Sequence, residues 1–400
     1  MKSKRIPTTA FRIATVLGLS AYSALSAKPL DFSSVTAADD VQWWWAVTVA
    51  DVTNDGIQDI VYINNNAQGG HLGYRIGQTT PGLWEKVIVA ETPPTGGEFA
   101  SGDLETGDFD GDGDIDLIGV KHTGEWDDAK ETAEIFWYEN PSWTPRPIGD
   151  CLGAVKDLST GDFNNDGLLD LAVLNFNNSQ LRVYQQNQDK SFSIVYDTKQ
   201  RGLHEGMDVG DIDGDGYPDI AANGYAFFSP GKSRKGWSVE LIDERWVNQD
   251  GDWSQNATKN VCVDIDGDGL DEVFISHSER SGYPIAWYDR NEKGSWTINT
   301  VLNELSSCHT LQVYDMDLDG DLDVVAGINK DRAWNLKLRE FPVLVMLNDG
   351  SGKKWEKNVI TEGGIYNGRV ADFEGDGDFD LFRLNGHEAK SIEVLVNQVK

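Results

Sequence analysis

From residue 30 onward the apolar positions come in short runs of four or five, separated by polar and glycine-rich turns. One kind of run is continuous, as in Ile60-Val61-Tyr62-Ile63, Leu117-Ile118-Gly119-Val120, Leu171-Ala172-Val173-Leu174 and Val324-Val325-Ala326-Gly327. A second kind follows it: Ile135-Phe136-Trp137-Tyr138, Leu181-Arg182-Val183-Tyr184, Ile285-Ala286-Trp287-Tyr288 and Val343-Leu344-Val345-Met346. A third begins at an aromatic residue, as in Trp84 to Ile88, Phe192 to Val195, Trp237 to Leu241 and Trp355 to Ile360. With the short segment that precedes each continuous run, such as Ser159-Thr160-Gly161, every unit holds four strands, which predicts propeller blades. Seven units predict an all-β, seven-bladed propeller of four antiparallel strands per blade. The last unit has three strands before Lys400, and Leu30 to Val35 resembles the missing fourth. That segment is expected to complete blade seven and close the ring, which protects edges an open array would expose.

Between the first and second strands of each unit lies an acidic loop of the form D-x-[D/N/T/E]-x-D-G-x-x-[D/E]. The seven copies start at Asp51, Asp108, Asp162, Asp211, Asp264, Asp315 and Asp372, spaced by 57, 54, 49, 53, 51 and 57 residues. A period near fifty residues is the mark of repeated supersecondary units. Positions 1, 3, 5 and 9 supply the oxygen ligands of a tight loop. They are Asp51, Thr53, Asp55 and Asp59; Asp108, Asp110, Asp112 and Asp116; Asp162, Asn164, Asp166 and Asp170; Asp211, Asp213, Asp215 and Asp219; Asp264, Asp266, Asp268 and Glu272; Asp315, Asp317, Asp319 and Asp323; Asp372, Glu374, Asp376 and Asp380. Hard oxygen donors in a flexible turn suit Ca²⁺. The flanks are strand-like, as in Met207-Asp208-Val209 and Ile220-Ala221-Ala222, so an EF-hand is excluded. Up to seven structural Ca²⁺ are expected. Sites two, four and six should bind best and site one, with Thr53, worst.

The loops Val209-Gly210-Asp211-Ile212-Asp213-Gly214-Asp215-Gly216 and Gly161-Asp162-Phe163-Asn164-Asn165-Asp166-Gly167 resemble the FG-GAP/VCBS repeats of integrin-like β-propellers. The resemblance extends over residues 28–400. It implies the fold and calcium. For function it implies a range: adhesion modules, lectin-like binders and carbohydrate-active enzymes, with an architecture similar to propeller polysaccharide lyases and a fungal sugar dehydratase.

Residues 1–27 read as a secretory signal peptide: Lys2, Lys4 and Arg5, an apolar run from Ile13 to Leu25, then Ser26-Ala27. The mature chain is expected to be secreted or periplasmic, without a membrane anchor. The formal net charge of −32 becomes −36 once Lys2, Lys4, Arg5 and Arg12 are removed. Much of that acidity belongs to the loops, and a nucleic-acid partner is excluded by the lack of a basic footprint. Cys151, Cys262 and Cys308 have no metal-binding spacing and allow either one disulfide or buried thiols.

Topology sorts the candidate chemistry. The acidic loops share one face, so the segments entering first strands and leaving second strands share the other. Five of the six histidines fall there: His122, His204, His277, His309 and His387. The inserts Asp127 to Glu134, Phe227 to Lys235, Trp246 to Asn256 and Asp331 to Glu340 are expected on the same side, bringing Trp253 and Trp334 beside Trp43 to Trp45. Trp84, Trp137, Trp237, Trp287, Trp296 and Trp355 lie in strand patterns and are packing residues. No G-x-S-x-G, H-E-x-x-H, phosphate loop or dinucleotide fingerprint is present. The carboxylates outside the loops that could serve a glycosidase are Glu98, Glu205 and Glu279.

The candidate catalytic set is His309, His277, Lys259, Arg369, Tyr366, His204 and His122. Such a set suits β-elimination on a uronic-acid glycan. Arg369 or Lys259 would neutralise the sugar carboxylate, His309 or His277 would take the C5 proton, and Tyr366 or a second histidine would protonate the leaving oxygen. The alternative is a non-catalytic propeller that binds glycan or protein. The rim segments differ from blade to blade, which favours one asymmetric site and the enzyme. Substrate identity and oligomeric state are open at this point.

Overall fold

The computed structural model describes residues 30–64, 70–123, 130–176, 178–231, 235–291 and 293–399. Residues 1–27, read from the sequence as a signal peptide, and Asp127 with the neighbouring Glu125 and Trp126, lie outside these residues.

Seven four-stranded antiparallel sheets follow one another along the chain. Blade one is Ala46–Ala50, Asp59–Ile63, Leu72–Arg75 and Lys86–Ala90; blade two is Thr106–Gly107, Asp116–Lys121, Thr132–Glu139 and Thr144–Leu152. Blade three is Val155–Gly161, Asp170–Asn175, Gln180–Gln186 and Phe192–Lys199; blade four is Met207–Gly210, Asp219–Ala222, Tyr225–Phe228 and Ser238–Leu241. Blade five is Thr258–Val263, Glu272–His277, Ile285–Arg290 and Trp296–Leu302; blade six is Cys308–Tyr314, Asp323–Ile328, Val343–Asn348 and Trp355–Thr361. Blade seven takes Tyr366–Ala371, Asp380–Leu384 and Ile392–Asn397 from the C-terminal end of the chain and Phe32–Ala38 from the N-terminal end. The closing strand sits slightly later than Leu30 to Val35 and pairs Phe32 with Asn397 through Ala38 with Ile392.

The continuous apolar runs are the second strands. They are buried along their whole length in blades one, three and six, because neighbouring blades cover both of their faces. The fourth strands are mostly half-buried to exposed, as in Trp355–Thr361, because they lie at the outer edge of each blade. Cores form between blades. The seam between blades seven and one packs Trp44, Val47 and Tyr62 against Tyr366, Phe373 and Phe382. Asn367 of blade seven donates to the Trp45 carbonyl at 2.6 Å, and Arg369 reaches Asp103, before blade two, at 3.0 Å. These contacts tie the end of the ring to its beginning.

Each acidic loop joins a first strand to a second, as expected. Glycine at position 6 takes a positive φ in all seven loops, from +85° at Gly216 to +100° at Gly113 and Gly320, where a Cβ would be strained. The ninth-position carboxylate is buried and acts as a clasp. Asp323 accepts from Met316 N and Asn348 N, both at 2.9 Å, joining its loop to the end of the third strand. Amide side chains then reach across blades: Asn140 Nδ2 donates to Val52 O and Gln186 Nε2 to Phe109 O.

One insert is misplaced by the sequence reading. The described part of Phe227 to Lys235 follows the third strand of blade four and precedes the fourth, so it lies on the acidic-loop face, where Ser229 N donates to Asp219 Oδ1 at 2.8 Å; residues 232–234 lie outside the described residues. Within this blade the third strand ends at Phe228, and strand direction then dictates the face. The three cysteines are free thiols.

Candidate functional site

On the face opposite the acidic loops, the first residues of the inner strands converge beneath the ring's mouth. Three inner strands have irregular pairing at this end, between Val155 and Asp157, Cys308 and Thr310, and Tyr366 and Arg369. Those irregularities fall on Lys156, His309 and Asn367. Bulges of this kind re-aim a side chain away from the regular pleat, and here they bring polar groups to one place.

Glu205 is the anchor, 1 % exposed. Its backbone is held by Asn223, whose side chain accepts from His204 N and donates to Glu205 O, both at 2.8 Å. Its carboxylate meets Lys156 Nζ at 3.1 Å, Lys259 Nζ at 3.7 Å and His309 Nε2 at 3.5 Å, and accepts from Ser278 Oγ at 3.0 Å. Burial alone would raise this carboxyl; Lys156 and Lys259 outweigh it and hold it well below the usual range. Glu279, 2 % exposed, lies 3.3 Å from His309 Nε2 and 3.1 Å from Arg332 Nε. Burial, with repulsion from Glu205, pushes Glu279 up to about 7. Environment thus separates the two carboxylates in acidity, the pattern that divides acid and base roles.

Tyr366 packs against His309 and His387, with ring centroids 4.4 and 4.5 Å apart. Burial holds His387 down to about 4. Above this floor opens a cavity of about 380 Å³ whose wall includes Trp43, Trp45, Phe176 and Trp253, and whose polar lining includes Lys156, Glu279, Tyr366 and His387. Behind it a second cavity, about 410 Å³, follows the central channel past Lys259, His309, Asp157, Asp208 and Arg369.

The expected residues therefore divide. His309, Lys259 and Tyr366 come together. Arg369 lies down the channel with Asp103. His277 is sealed beneath the Trp246 to Asn256 insert, bonded to Gln249 at 2.9 Å and packed on Tyr283. His204 is buried against Phe176, centroids 4.5 Å apart. His122 stands in blade two, 3.4 Å from Glu131. Lys156, Glu205, Glu279, Arg332 and His387 complete the cluster. The sequence placed each of them on this face, or in its inserts; it offered Glu205 and Glu279 only as glycosidase carboxylates and gave Lys156, Arg332 and His387 no catalytic role.

His204 carries a stability prediction. Burial lowers it to about 4 from an ordinary 6.5, so the unfolded chain takes up the proton first as pH falls. Its contribution is complete above pH 6.5 and declines toward pH 4, by about 3 kcal/mol in all. Urea unfolding at pH 7.5 and 4.5 should show a smaller acid loss in His204→Leu than in the wild type; equal losses would contradict this.

The acidic loops on the other face have the geometry for a cation. In loops two, four, five and six, the carboxylates of positions 1, 3 and 9 approach within 4.8 Å of one another, as in Asp315, Asp317 and Asp323. Asp317 Oδ2 is buried there without a hydrogen-bond donor, as expected of an oxygen that faces an ion. Position 5 also caps the turn: Asp319 Oδ1 accepts from Asp321 N at 3.0 Å.

An FG-GAP-like repeat family model matches residues 108–173, 162–222 and 264–326. No curated protein matches the chain. Among solved structures, crystal structures of BBS1N in complex with ARL6DN, soaked with mercury or with lead, are similar to it, each at 12% identity. Each match covers 92% of this chain and 96% of that one, with a TM-score of 0.51. At that identity the likeness is one of fold. With FG-GAP-like repeats matched over residues 108–222 and 264–326 and the closed ring observed, the chain is a seven-bladed β-propeller that carries FG-GAP-like repeats.

Proposed function

We propose that this propeller is a secreted or periplasmic enzyme that acts on an acidic carbohydrate at the mouth cavity, by β-elimination on a uronic-acid sugar. One observation carries the reading: Lys156, Glu279, Tyr366 and His387 line the same cavity as Trp43, Trp45 and Trp253. Indole faces suit the apolar face of a sugar ring. Lys156 offers a cation for the sugar carboxylate, which must be neutralised before the C5 proton is acidic. The C5–H bond breaks, the C4–C5 double bond forms, and the C4–oxygen bond breaks. Proton transfer falls to Tyr366 and His387, the phenol and the imidazole that line the cavity. His309, 1 % exposed and directed at Glu205 and Glu279, supports the floor from below.

The acidic loops are proposed to hold Ca²⁺, with loops two, four, five and six the best supported by their convergent carboxylates.

Incubation with a panel of uronic-acid polysaccharides should produce the absorbance of an unsaturated product. Tyr366→Phe should reduce kcat by about 10²–10⁴-fold with little change in KM. A flat trace over the whole panel would remove the lyase. Saturable binding of the same glycans without turnover would then assign the cavity to a lectin-like binder. The BBS1N structures are of a chain in complex with a protein, ARL6DN. A protein-binding role for this chain would show as capture of a partner that competes with neither sugar nor chelator.

A further inference from the structure

Under the cavity, His309 Nε2 faces the carboxylates of Glu279 and Glu205. His309 Nδ1 lies 3.0 Å from Asn367 Oδ1, and the Asn367 amide is oriented by its donation to Trp45 O at 2.6 Å. Nδ1 therefore carries the proton, and the Nε2 lone pair points inward. That nitrogen is 3.3 Å from Glu279 Oε1 and 3.5 Å from Glu205 Oε1, yet neither carboxylate lies where a hydrogen bond could form, and Nε2 is buried without a partner. One nitrogen of His387 completes a set in which the ligand atoms of Glu279, His309 and His387 all lie within 4.8 Å.

We propose that Glu279, His309 and His387 bind one divalent first-row transition cation, of which Zn²⁺ is the probe. Two imidazoles and a carboxylate form a donor set that Zn²⁺ accepts with a coordination position left open. It differs in kind from the all-oxygen loops on the opposite face, which suit Ca²⁺. The supporting contacts are those of a metal site. Asn367 fixes the His309 tautomer, and Arg332 Nε pairs with Glu279 Oε2 at 3.1 Å. Lys156 and Lys259 are the nearby opposing charges, and both are engaged by Glu205. Glu279 and His387 line the mouth cavity, so an open coordination position would face a ligand there.

This site deepens the proposed reaction and rests on the same cavity. The cation would reinforce Lys156 in neutralising a sugar carboxylate. A ligand imidazole cannot also accept the C5 proton, so Tyr366 would be left as the proton-moving group of the cavity.

The test is calorimetric titration of Zn²⁺ into the whole mature chain in excess Ca²⁺, with the loops saturated. One equivalent should bind in the micromolar range or tighter. His309→Ala and His387→Ala should each abolish it, while Asn367→Ala should weaken it about 10–100-fold. His122→Ala, remote in blade two, should leave it unchanged. Co²⁺ titrated into the wild type should give a visible spectrum that saturates at one equivalent and survives Ca²⁺, a reading that needs no variant to fold. Absence of any such binding in the wild type, or binding unchanged in both histidine variants, would overturn the site. Zn²⁺ binding without turnover would leave the site standing and remove the lyase. Full turnover in protein shown to be free of transition metal would leave the lyase standing and remove the cation from its mechanism.

Discussion

Withdrawal of Ca²⁺ with EGTA is expected to produce the largest stability change available to this protein. A ligand that binds only the folded state stabilises it by RT ln(1 + [L]/Kd), about 2.7 kcal/mol per site at a hundredfold excess over Kd. Four convergent loops then contribute about 11 kcal/mol together. Loss of that amount should lower the thermal midpoint by on the order of 10 °C or more. The chelated protein should also acquire a pH dependence. Burial pushes the ninth-position carboxyls up, Asp116 to about 7 and Asp219, Glu272, Asp323 and Asp380 to about 8. A folded-state pKa above the unfolded value means stability present at low pH and lost as pH rises through the folded value. The ion-free chain should therefore weaken between about pH 4 and pH 8, and Ca²⁺ should abolish that slope. A melting point unmoved by EGTA would exclude a structural role for the ion.

Replacement of Glu205 by Ala is expected to be the most damaging single change on the opposite face. The carboxylate holds Lys156 and Lys259, whose side chains are 16 % and 18 % exposed. Removing one partner of a buried ion pair leaves charge uncompensated and costs about 3–5 kcal/mol. Activity should be lost as well, because Lys156 would no longer be held at the cavity. A second variant separates the two effects. Glu205→Met combined with Lys156→Met and Lys259→Met should recover much of the stability, since an apolar cluster of similar volume is often as stable as a buried ion network, while turnover stays absent. Stability unchanged in Glu205→Ala would contradict the anchoring role.

The acidic loops and the strand pattern were legible because each depends on residues a few positions apart. Asp315, Asp317 and Asp323 meet through a local turn that Gly320 permits. Trp137 and Trp287 are buried because their strand period places them so. The Phe227 to Lys235 insert was assigned to the wrong face because nothing local marks where a third strand ends. The mouth site was legible only as a set of segments on one side. Lys156, His309 and Tyr366 come from three different blades, and Glu205, Glu279, Arg332 and His387 from the connections between strands.

Chain order and local chemistry alone determined the repeat, the blade count, the closing strand and the acidic turns, because hydrophobic period and turn composition act over short separations. Only the tertiary structure decided that His309 faces Glu205 and Glu279 while His277 and His122 face elsewhere. That choice rests on where the inner-strand ladders bulge and on how Asn223 and Asn367 pin distant backbone, and such pairings cross more than one blade, beyond the reach of any local pattern.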